Sequence, residues 1–381
     1  MTSDTGLRVQ AEQLRDLCQR AFDRLGVALQ DARITADVLV AADLRGISSH
    51  GVGHLRRYVR GLQTGVMIAR PAEQLVSPLG LGGVTQSATT AVIDAGGGMG
   101  PPVAWRAMQR AIEMARASGV GFVAVRNSNH FGIAGYYAMM ALEHDCIGLT
   151  MTNANAFVVP TFGRNALLST NAIALAAPAD QERPFVLDMS TTAAAYGKLE
   201  ICDRLEKPIP LGWATDERGA ATDDPRRVLE NLSRHAGGGL LPLGGEGELL
   251  GGHKGYGLGL MVNILCGLLA GAAYADLAYP KTPDGKPLPA NIGHFFGAWR
   301  IDAFRPVQEF RAAMDDLQRR LKNAPKAEGH DRIYIHGEKE YENTERHLRE
   351  GIPLDPKVVT DLQAVARELE IESDLEWLFD K

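Results

Sequence analysis

The chain has 381 residues, 45% of them hydrophobic and 23% charged, enough for one large or two medium domains with packed cores. Its net charge of −6 and pI near 6.0 argue against a nucleic-acid partner. Met1 to Arg8 lacks an apolar leader, and the apolar run Leu258 to Ala273 is too short to span a bilayer and contains Asn263, so a buried helix is expected there rather than a membrane anchor.

The first predicted elements are amphipathic helices over Val9–Leu25 and Ile34–Leu44, with Cys18 on the first and Gly46 as a stop for the second. Ser48-Ser49-His50-Gly51-Val52-Gly53-His54-Leu55-Arg56-Arg57-Tyr58 then brings hydroxyls, two imidazoles and two guanidiniums together. Ser48 or Ser49 is expected to cap a new helix that carries Leu55 and Tyr58 inward. His50 at the mouth of that helix suits proton transfer to a carboxylate-bearing substrate. The plain alternative is a capped helix with a charged outer face.

Ala91–Asp94 reads as a strand, Gly96 to Gly100 as a turn, and Pro101-Pro102 as the first turn of a helix ending at Gly119. With the strand Gly121–Val125 this gives strand, glycines, helix, strand. It is not a dinucleotide fingerprint: the glycines miss the G-x-G-x-x-G register, and Arg126-Asn127 stand where a ribose-binding acid belongs. That strand runs into Asn127 to Gly132, with His130 a second acid/base candidate, ahead of a helix from Ala134 to His144. The strand Ile147–Thr152 ends in Asn153-Ala154-Asn155, and Ser169-Thr170-Asn171 precedes the apolar run Ala172–Ala177. Three such Asn/Ser/Thr clusters suggest a shared ligand site.

Phe185 to Thr192 is a strand delivering Asp188 and three hydroxyls, followed by a helix from Ala193 to Glu200. A buried Asp188 needs a partner, with His50, His130 and Lys198 as candidates. Glycines 237–239 to 257 form a glycine-rich approach to the apolar helix, and Lys254 at its start suits an anion, although no P-loop pattern is present. Ile292–Ile301 is strand-like, Val307–Leu321 an amphipathic helix, Arg332–Ile335 a strand ending in His336-Gly337-Glu338, and Pro356–Leu369 a helix. Cys18, Cys146, Cys202 and Cys266 show no CxxC spacing, so they read as reduced residues of a cytoplasmic protein, with no metal site. The 42 glycines point to tight turns and close backbone approach, as around a cofactor.

Taken in order, Asp43-Leu44-Arg45-Gly46 with Ser49-His50-Gly51-Val52, Asn127 to Gly132, Thr170-Asn171, Asp188-Met189-Ser190, Gly197-Lys198, Ile209 to Trp213, Leu241 to Gly245, Gly252 to Gly257 and Gly337-Glu338 resemble the malate/L-lactate dehydrogenase family called type 2. That group includes sulfolactate and ureidoglycolate dehydrogenases and cyclic-imine reductases. The resemblance implies an α/β fold with a non-Rossmann, mixed-sheet NAD(P)-binding domain over 76–304. It implies a helical substrate and dimerisation domain built from 1–75 and 305–381, and a homodimer. It implies NAD, or NADP, as cofactor, with contacts at Asp188, Met189, Ser190, His253, Lys254, Gly337 and Glu338. His50 becomes the proton donor/acceptor, with Ser49 and Asp188 as its relay; in ureidoglycolate enzymes the base matches His130.

The expected activity is hydride transfer between NAD(P)H and C2 of a small 2-oxo or 2-hydroxy acid of malate, lactate or sulfolactate type. A cyclic-imine reductase is the runner-up. Many members carry arginine where this chain has His54, so substrate contacts are assigned to His54, Arg56 (with Arg57 as the other candidate) and Thr170. A serine hydrolase using Ser49, His50 and Asp188 is disfavoured: G-x-S-x-G is missing, and adjacent residues are not expected to place the Ser49 Oγ against the His50 ring.

Overall fold

The computed structural model describes residues 7–76 and 87–379. The expectation for Met1 to Arg8 therefore lies largely outside the described residues, as does the middle of the Gln74–Ala95 stretch.

Three helices open the chain: α1 (Ala11–Arg24), α2 (Leu29–Leu44) and α3 (Leu55–Gln63). On α1, Leu14, Leu17, Cys18, Ala21 and Phe22 recur at helical spacing and are buried on one face. They share a core with Leu39, Leu55 and Tyr58, and with Ile352, Leu362, Val365 and Leu375 from the other end of the chain. The two ends are also stitched by a two-residue antiparallel ladder, Arg8 against Pro353 and Val9 against Ile352.

The main sheet has seven strands: β1 (Gln74–Val76), β2 (Thr90–Asp94), β3 (Val120–Ser128), β4 (Cys146–Thr152), β5 (Ala172–Ala177), β6 (Phe185–Met189) and β7 (Ile292–Arg300). Their spatial order is β1-β2-β3-β7-β4-β5-β6. Strands β2 and β3 are parallel, joined through α4 (Gly100–Ser118), and the remaining neighbouring pairs are antiparallel. This mixed sheet differs from a doubly wound parallel one, as the failed fingerprint implied. Side chains alternate across β7: Phe296 enters the core under α4 and α5 (Ala134–Met140), and Phe295 faces the opposite layer. A smaller five-stranded sheet pairs 156–158, 168–169, 214–215, 221–222 and 239–240.

The remaining helices are α6 (Tyr196–Arg204), α7 (Pro225–Arg234), α8 (Gly252–Val262), α9 (Val307–Asn323), α10 (Glu338–Glu350), α11 (Pro356–Glu368) and the single turn α12 (Glu376–Phe379). Two expectations are corrected. The apolar run from Leu258 is not a fully buried helix: it widens into a π-helical turn over Asn263–Leu268, and Leu260, Met261, Ile264, Leu268 and Leu269 are exposed. Residues 332–335 are irregular rather than a strand, because the chain there turns into α10 through Gly337, whose φ of +97° suits glycine.

Candidate active site

The Ser48–Tyr58 stretch is not one capped helix. It makes two short 3₁₀ turns, Ser48–His50 and Val52–His54, before α3 begins at Leu55. The break is at Gly51, which is extended, with φ −86° and ψ −154°. The buried Asp43 side chain on α2 fixes that break by accepting the Val52 N–H at 2.7 Å. A Cβ on Gly51 would overlap the Asp43 carboxylate. Burial raises the Asp43 carboxyl to about 7, against the lowering effect of the Val52 N–H.

The folded turn sets His50 and His54 at a third ring, His130, which leaves the end of β3. The ring centroids are 5.5 Å apart for His50 and His130, 5.2 Å for His54 and His130, and 5.8 Å for His50 and His54. All three rings are half-buried. Tyr58 lies one turn further on, fully buried, with its hydroxyl 2.9 Å from both the His130 carbonyl oxygen and Nδ1. The Gly132 N–H also donates to His130 Nδ1, at 3.3 Å, so the neutral ring carries its proton on Nε2. Ser49 Oγ sits 2.9 Å from His50 Nδ1.

Burial lowers the affinity of each ring for a proton, and the nearby Arg57 charge lowers it further. His54 falls to about 4, with His50 also contributing, and His130 falls well below its ordinary value. The free site therefore presents three neutral imidazoles at neutral pH. Among the described residues, no group of three His, Cys, Asp or Glu side chains is placed to hold a metal.

The layer beneath is fully bonded. His294, buried on β7, bridges Thr152 Oγ1 and Ser128 Oγ at 2.8 Å each and stacks on Phe131 at 4.5 Å. Asn129 donates to the Gly97 and Gly98 carbonyls, and a Cβ on Gly100 would overlap the Asn129 and His130 carbonyls. The glycine turn after β2 thus accommodates the His130 loop. His294, which sequence reading passed over inside an aromatic strand, is part of this support.

Several predicted residues gather elsewhere. Asp188, at the end of β6, accepts the Gly135 N–H at the start of α5, 2.7 Å away. Burial raises its carboxyl to about 6, and the Gly135 contact and Arg45 charge pull the other way. It lines a cleft of about 230 Å³ with Arg45, Ile47, Gly337, Lys339 and Glu340. The expected bond from Asp188 to the His50 ring is not made: Ser49 takes His50 Nδ1, and the Asp188 carboxyl turns to the α5 backbone. Adjacency was also no obstacle to the Ser49–His50 contact. A hydrolase triad still fails, because serine and acid must hold opposite ring nitrogens.

Glu338 borders the same cleft through Gly337, yet its carboxylate is turned inward. It meets Lys322 at 2.9 Å, Arg332 at 3.1 Å and the Ile335 N–H at 3.1 Å. Met189 is half-buried at the end of β6, and Ser190 Oγ lies 2.7 Å from Thr192 Oγ1. His253 and Lys254 are exposed on the first turn of α8. Gly255 on that turn packs against the Leu243 backbone, and the Leu243 N–H donates to the carbonyl of Thr191, two residues past β6, at 3.0 Å.

The three Asn/Ser/Thr clusters do not converge on one ligand site. Asn153 bonds the Ala273 carbonyl and the Gly293 N–H, Asn171 bonds the Gly259 carbonyl, and Ser169 bonds Asn171 and the Ala154 N–H. These side chains tie strand ends to their neighbours. Thr170 accepts the Thr191 N–H through its backbone at 2.9 Å. Arg56 points away from the imidazoles and pairs with Asp361 on α11 at 2.6 Å. Arg57 instead donates to the Tyr279 hydroxyl at 3.0 Å.

Comparison with known proteins adds the family. The malate/L-lactate dehydrogenase family profile matches residues 9–363. The chain is 43% identical over 366 residues to a malate dehydrogenase of Pyrococcus abyssi, covering 96% of each protein. It is 36% identical over 364 residues to a malate/(S)-sulfolactate dehydrogenase of Methanothermus fervidus, covering 96% of this chain and 98% of that one. The solved malate dehydrogenase of Pyrococcus horikoshii superposes with a TM-score of 0.86 at 40% identity, over 97% of this chain and 98% of that one. With its mixed sheet and its two histidine-bearing turns facing each other, the chain belongs to the malate/L-lactate dehydrogenase family and is a dehydrogenase of hydroxy acids that works with a nicotinamide cofactor.

Proposed function

We propose that the protein interconverts a small 2-oxo acid and its 2-hydroxy acid, of malate, lactate or sulfolactate type, with His50 moving the proton on the C2 oxygen. The observation that carries this reading is the meeting of His50, His54 and His130 at ring separations of 5.2 to 5.8 Å beside a buried tyrosine. Ser49 at Nδ1 orients the His50 ring and leaves Nε2 for the substrate oxygen. Hydride transfer needs no acyl intermediate, so Ser49 is a positioning group. His130, held by Tyr58, forms the opposite wall, and His54 completes the polar lining.

The cleft of Asp188, Arg45, Gly337 and Lys339 fits part of a dinucleotide. It offers two cations for phosphate, a carboxyl for a ribose hydroxyl, and a glycine at which any Cβ would crowd Val186. Met189, Ser190, His253, Lys254 and the backbone at Glu338 belong to the same reading. When bound, the nicotinamide donates or accepts the hydride. Either NAD or NADP satisfies this chemistry.

The domain reading is a substrate and dimerisation unit from 1–75 and 305–381 on a cofactor unit from 76–304. The shared core of the two chain ends supports the first unit, although α9 packs on 180–183 beside β6. The exposed apolar face of Leu260, Met261, Ile264, Leu268 and Leu269 supports a homodimer, which sedimentation tests. Four free cysteines support a reducing, cytoplasmic setting.

A panel of pyruvate, oxaloacetate, sulfopyruvate and a cyclic imino acid, each with NADH and NADPH and read at the reduced-nicotinamide band, tests the function. Turnover of a 2-oxo acid supports it. Turnover of the imine alone replaces it with the imine-reductase reading.

A further inference from the structure

Arg56 and Arg57 are neighbours on α3 with opposite fates. Arg56 is neutralised by Asp361. Arg57 meets no carboxylate within ion-pair distance among the described residues, and its partner is the neutral hydroxyl of Tyr279 at 3.0 Å. Tyr279 follows the short turn Ala275–Ala278, more than two hundred positions along the chain, so two distant segments were brought together to hold this one guanidinium.

Arg57 lies on the first turn of α3, three residues beyond His54, which brings its charge near the imidazoles. It acts on His50, His54 and His130 alike, in each case against protonation. A guanidinium without a counter-ion, beside three neutral rings, lacks an anion. Tyr279 takes one of the two Nη2 protons and leaves the other, with a proton on Nη1 or Nε beside it, so one two-donor edge of the fork stays open. Those donors suit a planar carboxylate held through both oxygens. His54, neutral at working pH, cannot supply that contact.

We propose that Arg57, braced by Tyr279, binds the carboxylate of the substrate and so selects 2-oxo acids over uncharged ketones. This rests on the 2-oxo acid reading above. The carboxylate on Arg57 fixes the C1 end of the substrate, and the adjacent C2 oxygen then falls to His50. Binding and proton transfer are thereby divided between two residues of one turn-and-helix segment.

The test compares pyruvate with pyruvamide, its uncharged isostere, using the enzyme loaded with whichever of NADH and NADPH supports turnover. The wild type is expected to prefer the acid on the order of 10²-fold in kcat/KM. In Arg57→Gln this preference falls towards unity, and the loss lies mainly in the KM of the acid. Arg57→Lys keeps an intermediate preference, because a point charge replaces a fork. Tyr279→Phe lowers the preference a few-fold and guards against a misfolded Arg57→Gln, whose melting curve is recorded alongside. An acid preference that persists in both Arg57→Gln and Tyr279→Phe overturns the assignment and leaves the 2-oxo acid reading standing. A wild type that reduces no 2-oxo acid with either cofactor overturns both.

Discussion

The backbone N–H of Val52 is held by the buried carboxylate of Asp43, 2.7 Å away, and Gly51 leaves the space in which that carboxylate sits. This contact divides what would be one helix into two 3₁₀ turns and so aims His50 and His54 at His130. Gly51→Ala drives a methyl into the carboxylate. Overpacking of this kind costs about 1–3 kcal/mol. The variant is expected to melt several degrees lower and to lose at least about tenfold in kcat as the rings shift. Asp43→Ala in the Gly51→Ala background makes room again and restores part of the melting temperature. A Gly51→Ala enzyme with wild-type kcat would show that the turn does not set the site.

His50→Ala removes the proposed proton donor without touching the Asp188 cleft. Turnover is expected to fall on the order of 10²–10⁴-fold. Affinity for the reduced nicotinamide cofactor, followed by quenching of protein fluorescence, should change little. A variant retaining a tenth of the activity would return the role to His130, which His130→Ala then tests.

In the proposed mechanism, oxidation of the hydroxy acid needs a neutral His50 as base. Burial and then Arg57 hold that imidazole below its ordinary value of 6.5. A lowered value means the ring stays unprotonated as the pH falls, so the acid limb of kcat/KM for oxidation should lie below pH 6.5. In Arg57→Gln one lowering influence is gone, and the limb should move up. A limb at or above 7 in the wild type would contradict the neutral site.

Glu338 is buried between Lys322, Arg332 and the Ile335 N–H, and Lys322 leads the influences that hold its carboxyl below the usual 4.5 despite burial. A lowered carboxyl contributes stability above its unfolded value and loses it as the pH falls through the folded one. Glu338→Gln should therefore cost about 1–3 kcal/mol near neutral pH, with the deficit shrinking below pH 4.5. Urea melts at pH 7 and pH 4 measure this directly. A deficit that does not depend on pH would assign the loss to packing.

The sequence disclosed most of the strands and helices because their apolar patterns are strong, as in β3, β5 and β6. It disclosed the site residues by type but not by partner. His50 and His130 were legible as polar groups at element ends. Asp188 was legible as buried, but its partner is the α5 backbone, which no spacing rule selects. The three asparagine clusters looked like ligand groups because a side chain that binds a ligand and one that caps a strand end have the same composition. Helix α10 was hidden because its sequence, Glu338 to Glu350, lacks an apolar stripe and is held by ion pairs instead. The choice between Arg56 and Arg57 waited on Asp361 and Tyr279, which lie hundreds of residues away.

Strand β7 lies between β3 and β4 and carries His294, yet the ribosome makes it about 140 residues after β4. A nascent chain must hold a gap at the centre of its sheet until residue 300 emerges, and the opening helices wait longer still for residues 352–378 to close over them. Interrupted synthesis before that point yields no smaller enzyme, only two unpaired sheet edges open to aggregation.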